Sequence, residues 1–351
     1  MHDEDRFTKN VVFRVDSSSK IGIGHLMRCI TLADEMQQRG CKITFICSNL
    51  DGNLISQIKY KVVVLSKKGK FQAKSIYLDW LDTSQNQDAK LTIKAMPYGV
   101  DIIVVDSYAL NQEWHRKLRP YTRIIMVIDD MADKELDCDI LLNPNLNIQK
   151  SDYEKKVPKS CKLLLGPNFA LLRPEFKSLR SKSIEKRKNT QKIQNILISM
   201  GGSDKNNITY DVLQQLSNEF NVTVVLGAAS LHIEMIKEFA KDKNIKIIVN
   251  ADNMSKLMLD ADIAIGAGGS STWERCCLGL PTLFYVLSPN QKRTADYLEE
   301  IKVVSIVRNL RQDIQKIIRN IDVWYNMSSK SQDICDGLGA IKVSDKLLRL
   351  E

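Results

Sequence analysis

His25 stands directly after Gly24 in residues 11–29, V-V-F-R-V-D-S-S-S-K-I-G-I-G-H-L-M-R-C. Imidazole is the side chain that ordinarily exchanges a proton near neutral pH, so a histidine in an open turn can act as a general base on water. A histidine at a helix start is more often structural than catalytic. Gly22 and Gly24 shift that balance, because glycine lets backbone and ligand approach closely. Asp16 opens the same turn. A carboxylate fixes a catalytic imidazole, and Asp16 and Asp130 are the candidates for that task. Tyr108, in Asp106-Ser107-Tyr108, adds a hydroxyl at another strand end.

Two more glycine turns lie in the second half, Gly201-Gly202-Ser203 and Gly268-Gly269-Ser270-Ser271-Thr272. Each follows an apolar run and precedes a helical pattern. Exposed N–H groups and the helix dipole hold an anion at such a place, and hydroxyls add donors. Glu274 falls in the first turn of the helix after the second of them. Next to a phosphate a carboxylate must grip something else, and a ribose diol is the natural candidate. None of these turns is a Walker A loop, because no Gly-Lys-Ser/Thr follows. The first is not the G-x-G-x-x-G dinucleotide turn either, since Met27 takes the place of its last glycine. Asp137-Cys138-Asp139 resembles a metal-binding D-x-D, but it precedes a strand, at the end away from the other site residues. A hard divalent ion also needs more oxygen ligands. No metal is expected.

These residues need a parallel sheet behind them. Residues 11–15, 41–47, 61–65, 101–106, 123–128 and 140–142 read as strands, the runs at 101–106 and 123–128 as parallel strands buried on both faces. Asp16, Tyr108, Asp130 and Asn143 fall at their carboxyl ends, where open α/β sheets bind ligands. Residues 161–165 close the first half. The pattern restarts at residues 193–199, with further strands at 222–226, 245–249, 262–265 and 282–286. The expected architecture is α/β, with two doubly wound, Rossmann-like domains facing a cleft: 1–165, a linker at 166–192 that is charged and poor in apolar residues, and 193–351 with the C-terminal helices, a tail helix crossing back to the first domain being the open alternative.

A chain of 351 residues, 44% hydrophobic and 26% charged, suits two ordinary globular domains. No apolar run approaches the roughly 20 residues that span a bilayer, and no amphipathic membrane pattern is evident, so no membrane partner is expected. The eight cysteines form no C-x-x-C, which speaks against a zinc site and fits a reducing cytoplasm. The net charge of +9 suits an anionic ligand such as a nucleotide. Nucleic acid is not expected, because no basic run is interleaved with aromatics. A monomer is consistent with the sequence.

Six motifs occur in one order: R-V-D-S-S-S-K-I-G-I-G-H, D-S-Y at 106–108, C-D-I-L-L-N, L-L-G-P-N-F-A-L-L-R-P-E-F, M-G-G-S-D and G-A-G-G-S-S-T-W-E. Together they resemble the UDP-2,4-diacetamido-2,4,6-trideoxy-β-L-altropyranose hydrolases of pseudaminic acid synthesis, relatives of the MurG-like GT-B glycosyltransferases. The resemblance runs from about Val11 to the last helices. It implies a GT-B fold, a UDP-sugar substrate, water as acceptor, and neither metal nor redox cofactor. It implies His25 as the active-site histidine, Tyr108 and Asn290 as further active-site residues, and Glu274 as the acid on the nucleotide side. A transferase of the same fold and a non-catalytic sugar-nucleotide-binding protein are the competing readings.

Overall fold

The computed structural model describes residues 8–66, 76–202, 204–228 and 230–350, with only the backbone at Ile76, Pro289 and Asn290. The chain divides into two compact units. The first is Met1–Leu171 with Gly339–Glu351, and the second is Leu172–Leu338.

In the first unit the strands are β1 (Asn10–Val15), β2 (Lys42–Ser48), β3 (Lys61–Leu65), β4 (Val100–Asp106), β5 (Thr122–Ile128), β6 (Ile140–Asn143) and β7 (Lys162–Leu165). Helices α1 (Gly24–Gln38), α2 (Ile76–Asp79), α3 (Gln85–Ala95) and α4 (Gln112–Leu118) connect them. All strand pairs are parallel, in the order β3-β2-β1-β4-β5-β6-β7. The order reverses between β1 and β4, where Val15 lies opposite Asp106. That reversal is the place where doubly wound sheets bind ligands. Val11, Phe13 and Val15 of β1 pack in one apolar layer with Leu26, Cys29, Leu32, Ala33 and Met36 of α1, while Val12 packs in the layer on the other face. This two-sided burial is why the central strands are largely apolar along their whole length rather than alternating.

The second unit contains α5 (Pro174–Lys188), β8 (Asn195–Ser199), α6 (Ile208–Gln215), β9 (Asn221–Leu226), α7 (Ile233–Ala240), β10 (Ile245–Val249) and α8 (Met254–Asp260). It continues with β11 (Ile263–Ala267), α9 (Ser271–Cys277), β12 (Thr282–Tyr285), α10 (Pro289–Glu300), β13 (Val304–Ile306), α11 (Leu310–Arg319) and α12 (Ile321–Ile334). Its parallel sheet runs β10-β9-β8-β11-β12-β13, with the reversal between β8 and β11. Both glycine turns of this half leave the strands that flank the reversal.

Two boundaries differ from the sequence expectation. Much of the segment expected as linker is α5, a helix packed into the second unit. It buries few apolar residues because cations anchor it instead. The Arg187 guanidinium donates to the carbonyls of Met258, Ala261 and Leu278, and Ser183 donates to Leu278. Arg180 donates to the carbonyls of Cys277, Gln332 and Cys335. Many of these acceptors are the unpaired carbonyls at the C-terminal ends of α8, α9 and α12, which favour positive charge. Burial lowers Arg187 to about 10, still cationic at neutral pH. The other difference is the last helix, α13 (Gly339–Leu348), which belongs to the first unit. Its Ala340, Val343 and Leu347 join the core layer that holds α1, and Asp345 pairs with Arg39 at the end of α1.

Candidate functional site

The turn that delivers His25 is held by its own backbone and by the next loop. The Gly22 N–H donates to the Ser18 carbonyl, and Ser18 Oγ accepts from the N–H groups of Lys20 and Ile21. Ser17 Oγ accepts from the Leu54 N–H, and the Ser19 N–H donates to the Asp51 carbonyl. Helix α1 then starts at Gly24 with no side chain capping its first turn. Gly22 and Gly24 are exposed beside it.

His25 Nδ1 lies 2.7 Å from Asp106 Oδ1 at the end of β4. A ring nitrogen this close to a carboxylate carries the hydrogen, so in the neutral ring Nε2 holds the lone pair. Arg28, three residues on and on the same helix face, makes a two-point contact with Asp106 (Nε to Oδ2, 2.6 Å; Nη2 to Oδ1, 2.7 Å) and reaches Asp130 through Nη1 at 2.8 Å. The Tyr108 hydroxyl donates to Asp130 Oδ2 at 2.5 Å. Asn145 also donates to Asp130, and Lys134 donates to the Tyr108 carbonyl. Burial by itself would raise the Asp106 carboxyl, but Arg28 and His25 outweigh it and hold the group well below the usual carboxylate range. Burial, then Asp130, pushes the Tyr108 phenol well above its ordinary value. Tyr108 is therefore a hydrogen-bond donor rather than a phenolate base.

Asp106, not Asp16, is the carboxylate on His25. Asp16 sits at the end of β1 in a different network. It accepts from the Ser48 N–H and hydroxyl and pairs with Arg14 at 2.8 Å; Arg14 also pairs with Asp88 at 2.7 Å. Asp130 acts one step away, through Arg28 and Tyr108. Asn143 is buried, donating to Tyr153 and accepting from the Asn145 N–H. Asp137 and Asp139 both pair with Arg119, so the D-x-D is an arginine clamp. Among the described residues, no group of three or more His, Cys, Asp or Glu side chains is placed to hold a metal ion. Nor is any described helix long and apolar enough to cross a membrane.

Four rings gather at this point. The His25 ring lies edge-on to Tyr108 at 4.7 Å and to Trp80 at 6.3 Å. Trp80 lies 5.6 Å from Tyr108, and Tyr77 lies 5.0 Å from Trp80 and 5.4 Å from Tyr108. Arg28, Asp106, Tyr77 and Trp80 carried no assigned role in the sequence. Helical spacing from His25 was the signal available for Arg28.

In the second unit, Gly201 and Gly202 follow β8 and are exposed. A Cβ on Gly227, at the end of β9, would stand 2.1 Å from the Gly202 carbonyl oxygen, so the neighbouring turn can pass only over a glycine. Ser203 lies outside the described residues. Gly268 and Gly269 connect β11 to α9, with Gly269 at φ 118°, where an L side chain is strained. Ser270 precedes α9 and Ser271 opens it, again without a side-chain cap on the first turn. Arg275, a buried residue that the sequence reading did not single out, braces this turn from within. Its guanidinium donates to the Ala267 carbonyl at 2.8 Å and to the hydroxyls of Ser271 and Thr272 at 3.3 Å. Burial lowers it to about 10, so a cation stays behind the turn at neutral pH. Glu274 Oε1 is 3.9 Å from Arg173 Nη2; burial raises its carboxyl, against the pull of Arg173 and Arg275. Asn290 falls in the first turn of α10, with its side chain outside the described residues.

Residues 180–337 match the glycosyltransferase family 28 C-terminal domain. Over most of its length the chain is also similar to a sugar-nucleotide hydrolase. It is 28% identical to the UDP-2,4-diacetamido-2,4,6-trideoxy-beta-L-altropyranose hydrolase of Campylobacter jejuni, over 82% of this chain and 95% of that one. It is 27% identical to the spore coat polysaccharide biosynthesis protein SpsG of Bacillus subtilis, over 94% of this chain and 95% of that one. Among solved structures, MurG of Acinetobacter baumannii superposes with a TM-score of 0.68 at 16% identity, covering 97% of this chain and 100% of that one. The two parallel-sheet α/β units have the GT-B fold.

Proposed function

We propose that the protein hydrolyses a UDP-sugar at the anomeric carbon, with His25 as the base. The observation that carries this reading is the 2.7 Å contact between His25 Nδ1 and Asp106 at the strand reversal of the first unit. With Nδ1–H engaged, Nε2 takes a proton from water as the water oxygen bonds to C1, and Asp106 balances the imidazolium that results. The C1–O bond to the β-phosphate breaks with its electron pair on UDP, which is a good leaving group. No second carboxylate is then needed as general acid, unlike ordinary glycoside hydrolysis. Attack opposite the departing UDP inverts the anomeric centre.

The second unit holds the nucleotide in this reading, which the match to the family 28 C-terminal domain supports. N–H groups at Gly201, Gly202, Gly268 and Gly269 and the hydroxyls of Ser270 and Ser271 face the diphosphate in this reading, with the Arg275 cation behind the second turn. Glu274 takes the ribose diol. Glu274→Ala is expected to weaken UDP binding by roughly 10–100-fold, the loss of hydrogen bonds to a charged acceptor. Isothermal titration with UDP checks it, and unchanged affinity would remove the ribose role. Asn290 is a further candidate for the reacting end.

The sugar proposed is the 2,4-diacetamido-2,4,6-trideoxyhexose named for the Campylobacter jejuni relative. Transfer to a hydroxyl acceptor is the second reading; it uses the same base and is favoured by the family 28 match. Phosphorus NMR of the protein with a panel of UDP-N-acetyl sugars separates the two. Release of UDP with no acceptor present supports hydrolysis, and release only on adding an acceptor supports transfer.

A further inference from the structure

We propose that Tyr77, Trp80 and Tyr108 form an apolar subsite for the methyl-bearing face of the sugar, and that this subsite selects 6-deoxy, N-acetylated sugars over hydroxymethyl ones. The proposal rests on the UDP-sugar reading above and deepens it. Leu78 and Leu81 anchor α2 and its following turn in the core, while Tyr77 and Trp80 stay half-buried on the ring cluster. Their rings and that of Tyr108 lie 5.0–5.6 Å apart, next to the His25 ring. The one hydroxyl of the cluster nearest His25, that of Tyr108, is spent on Asp130. Beside the base the three rings offer aromatic carbon surface, flanked by the Arg28, Asp106 and Asp130 network.

A sugar whose C1 is attacked by a water on His25 brings its other ring substituents within a few ångströms of these rings. A 6-deoxy, diacetamido sugar offers methyl groups at C6 and on both acetamido groups, which bury well on aromatic faces. A hydroxymethyl or free hydroxyl in the same place loses water contacts that the rings do not replace. Apolar pockets discriminate on this basis by roughly 10–200-fold. The Lys20–Asp79 pair at 2.7 Å also joins α2 to the turn that precedes His25. That pair is exposed and contributes little energy.

The test uses the full chain carrying His25→Ala, so that intact UDP-sugars persist during titration calorimetry. The probes are UDP-2,4-diacetamido-2,4,6-trideoxy-β-L-altropyranose, UDP-N-acetylglucosamine and UDP. The expected result is a preference for the first sugar that narrows by roughly tenfold or more on adding Trp80→Ala and returns with Trp80→Phe, at constant affinity for UDP. Equal binding of the two sugars before the Trp80 change, or an unchanged preference after it, overturns the subsite. If Trp80→Ala fails to fold, Tyr77→Leu is read in the same way. A preference that depends on Trp80, together with a wild-type protein that releases no UDP from either sugar, would uphold the subsite and overturn the hydrolysis reading.

Discussion

His25→Ala is expected to lower turnover by ~10²–10⁴-fold, the usual cost of losing a general base, while UDP affinity changes little. The separation follows from where the groups are. His25 belongs to the first unit, in the first turn of α1, and the glycine turns assigned to the diphosphate belong to the second. Three measurements on the one variant divide the alternatives: turnover, UDP affinity by calorimetry, and the thermal midpoint. If His25 were only a structural residue of the turn, the midpoint would fall more than the turnover per folded molecule. If it gripped phosphate, affinity would fall as far as the rate. A fully active variant would leave the mechanism without a base.

Asp106→Asn is expected to be nearly as damaging, ~10³–10⁴-fold in kcat, with the fold retained. An asparagine can turn its NH2 toward Nδ1, which stabilises the tautomer whose Nε2 carries the hydrogen and so removes the acceptor for water. The variant also leaves Asp130 as the carboxylate that faces the Arg28 guanidinium. The stability effect has a definite sign. The Asp106 carboxyl is held below its unfolded value, so its contribution is fully present above the ordinary carboxylate range and is lost as pH falls below about 4. Urea unfolding of wild type and Asp106→Asn should therefore differ most at neutral pH and converge on acidification. A difference that grows toward acid would contradict the placement of the negative charge.

The strand, turn and helix around His25 were legible because each signal is local: a largely apolar run at residues 11–15, a polar turn with two glycines, then helical spacing. The same holds for the turns at Gly201 and Gly268. Partnership across the sheet was not legible. Asp106 meets His25 from 81 residues away, through the adjacency of β1 and β4. Asp16, in the same turn as the histidine, was the nearer choice in sequence, but its position at the end of β1 commits it to Ser48 and Arg14. Helix α5 was misread for a related reason. Its buried contacts are arginine donors on helix-end carbonyls, and an apolar count does not register them. The return of α13 to the first unit rests on an apolar face of Ala340, Val343 and Leu347, which names no partner until α1 is placed.

Hydrolysis at the anomeric carbon is tested most directly by turnover of UDP-2,4-diacetamido-2,4,6-trideoxy-β-L-altropyranose in ¹⁸O-labelled water, with no acceptor present, followed by phosphorus NMR and mass spectrometry. The expected result is release of UDP that carries no ¹⁸O, because water attacks carbon and the phosphate keeps its own oxygen. UDP labelled on the β-phosphate, cleavage to UMP and a sugar phosphate, or no release of UDP until an acceptor is added would contradict it.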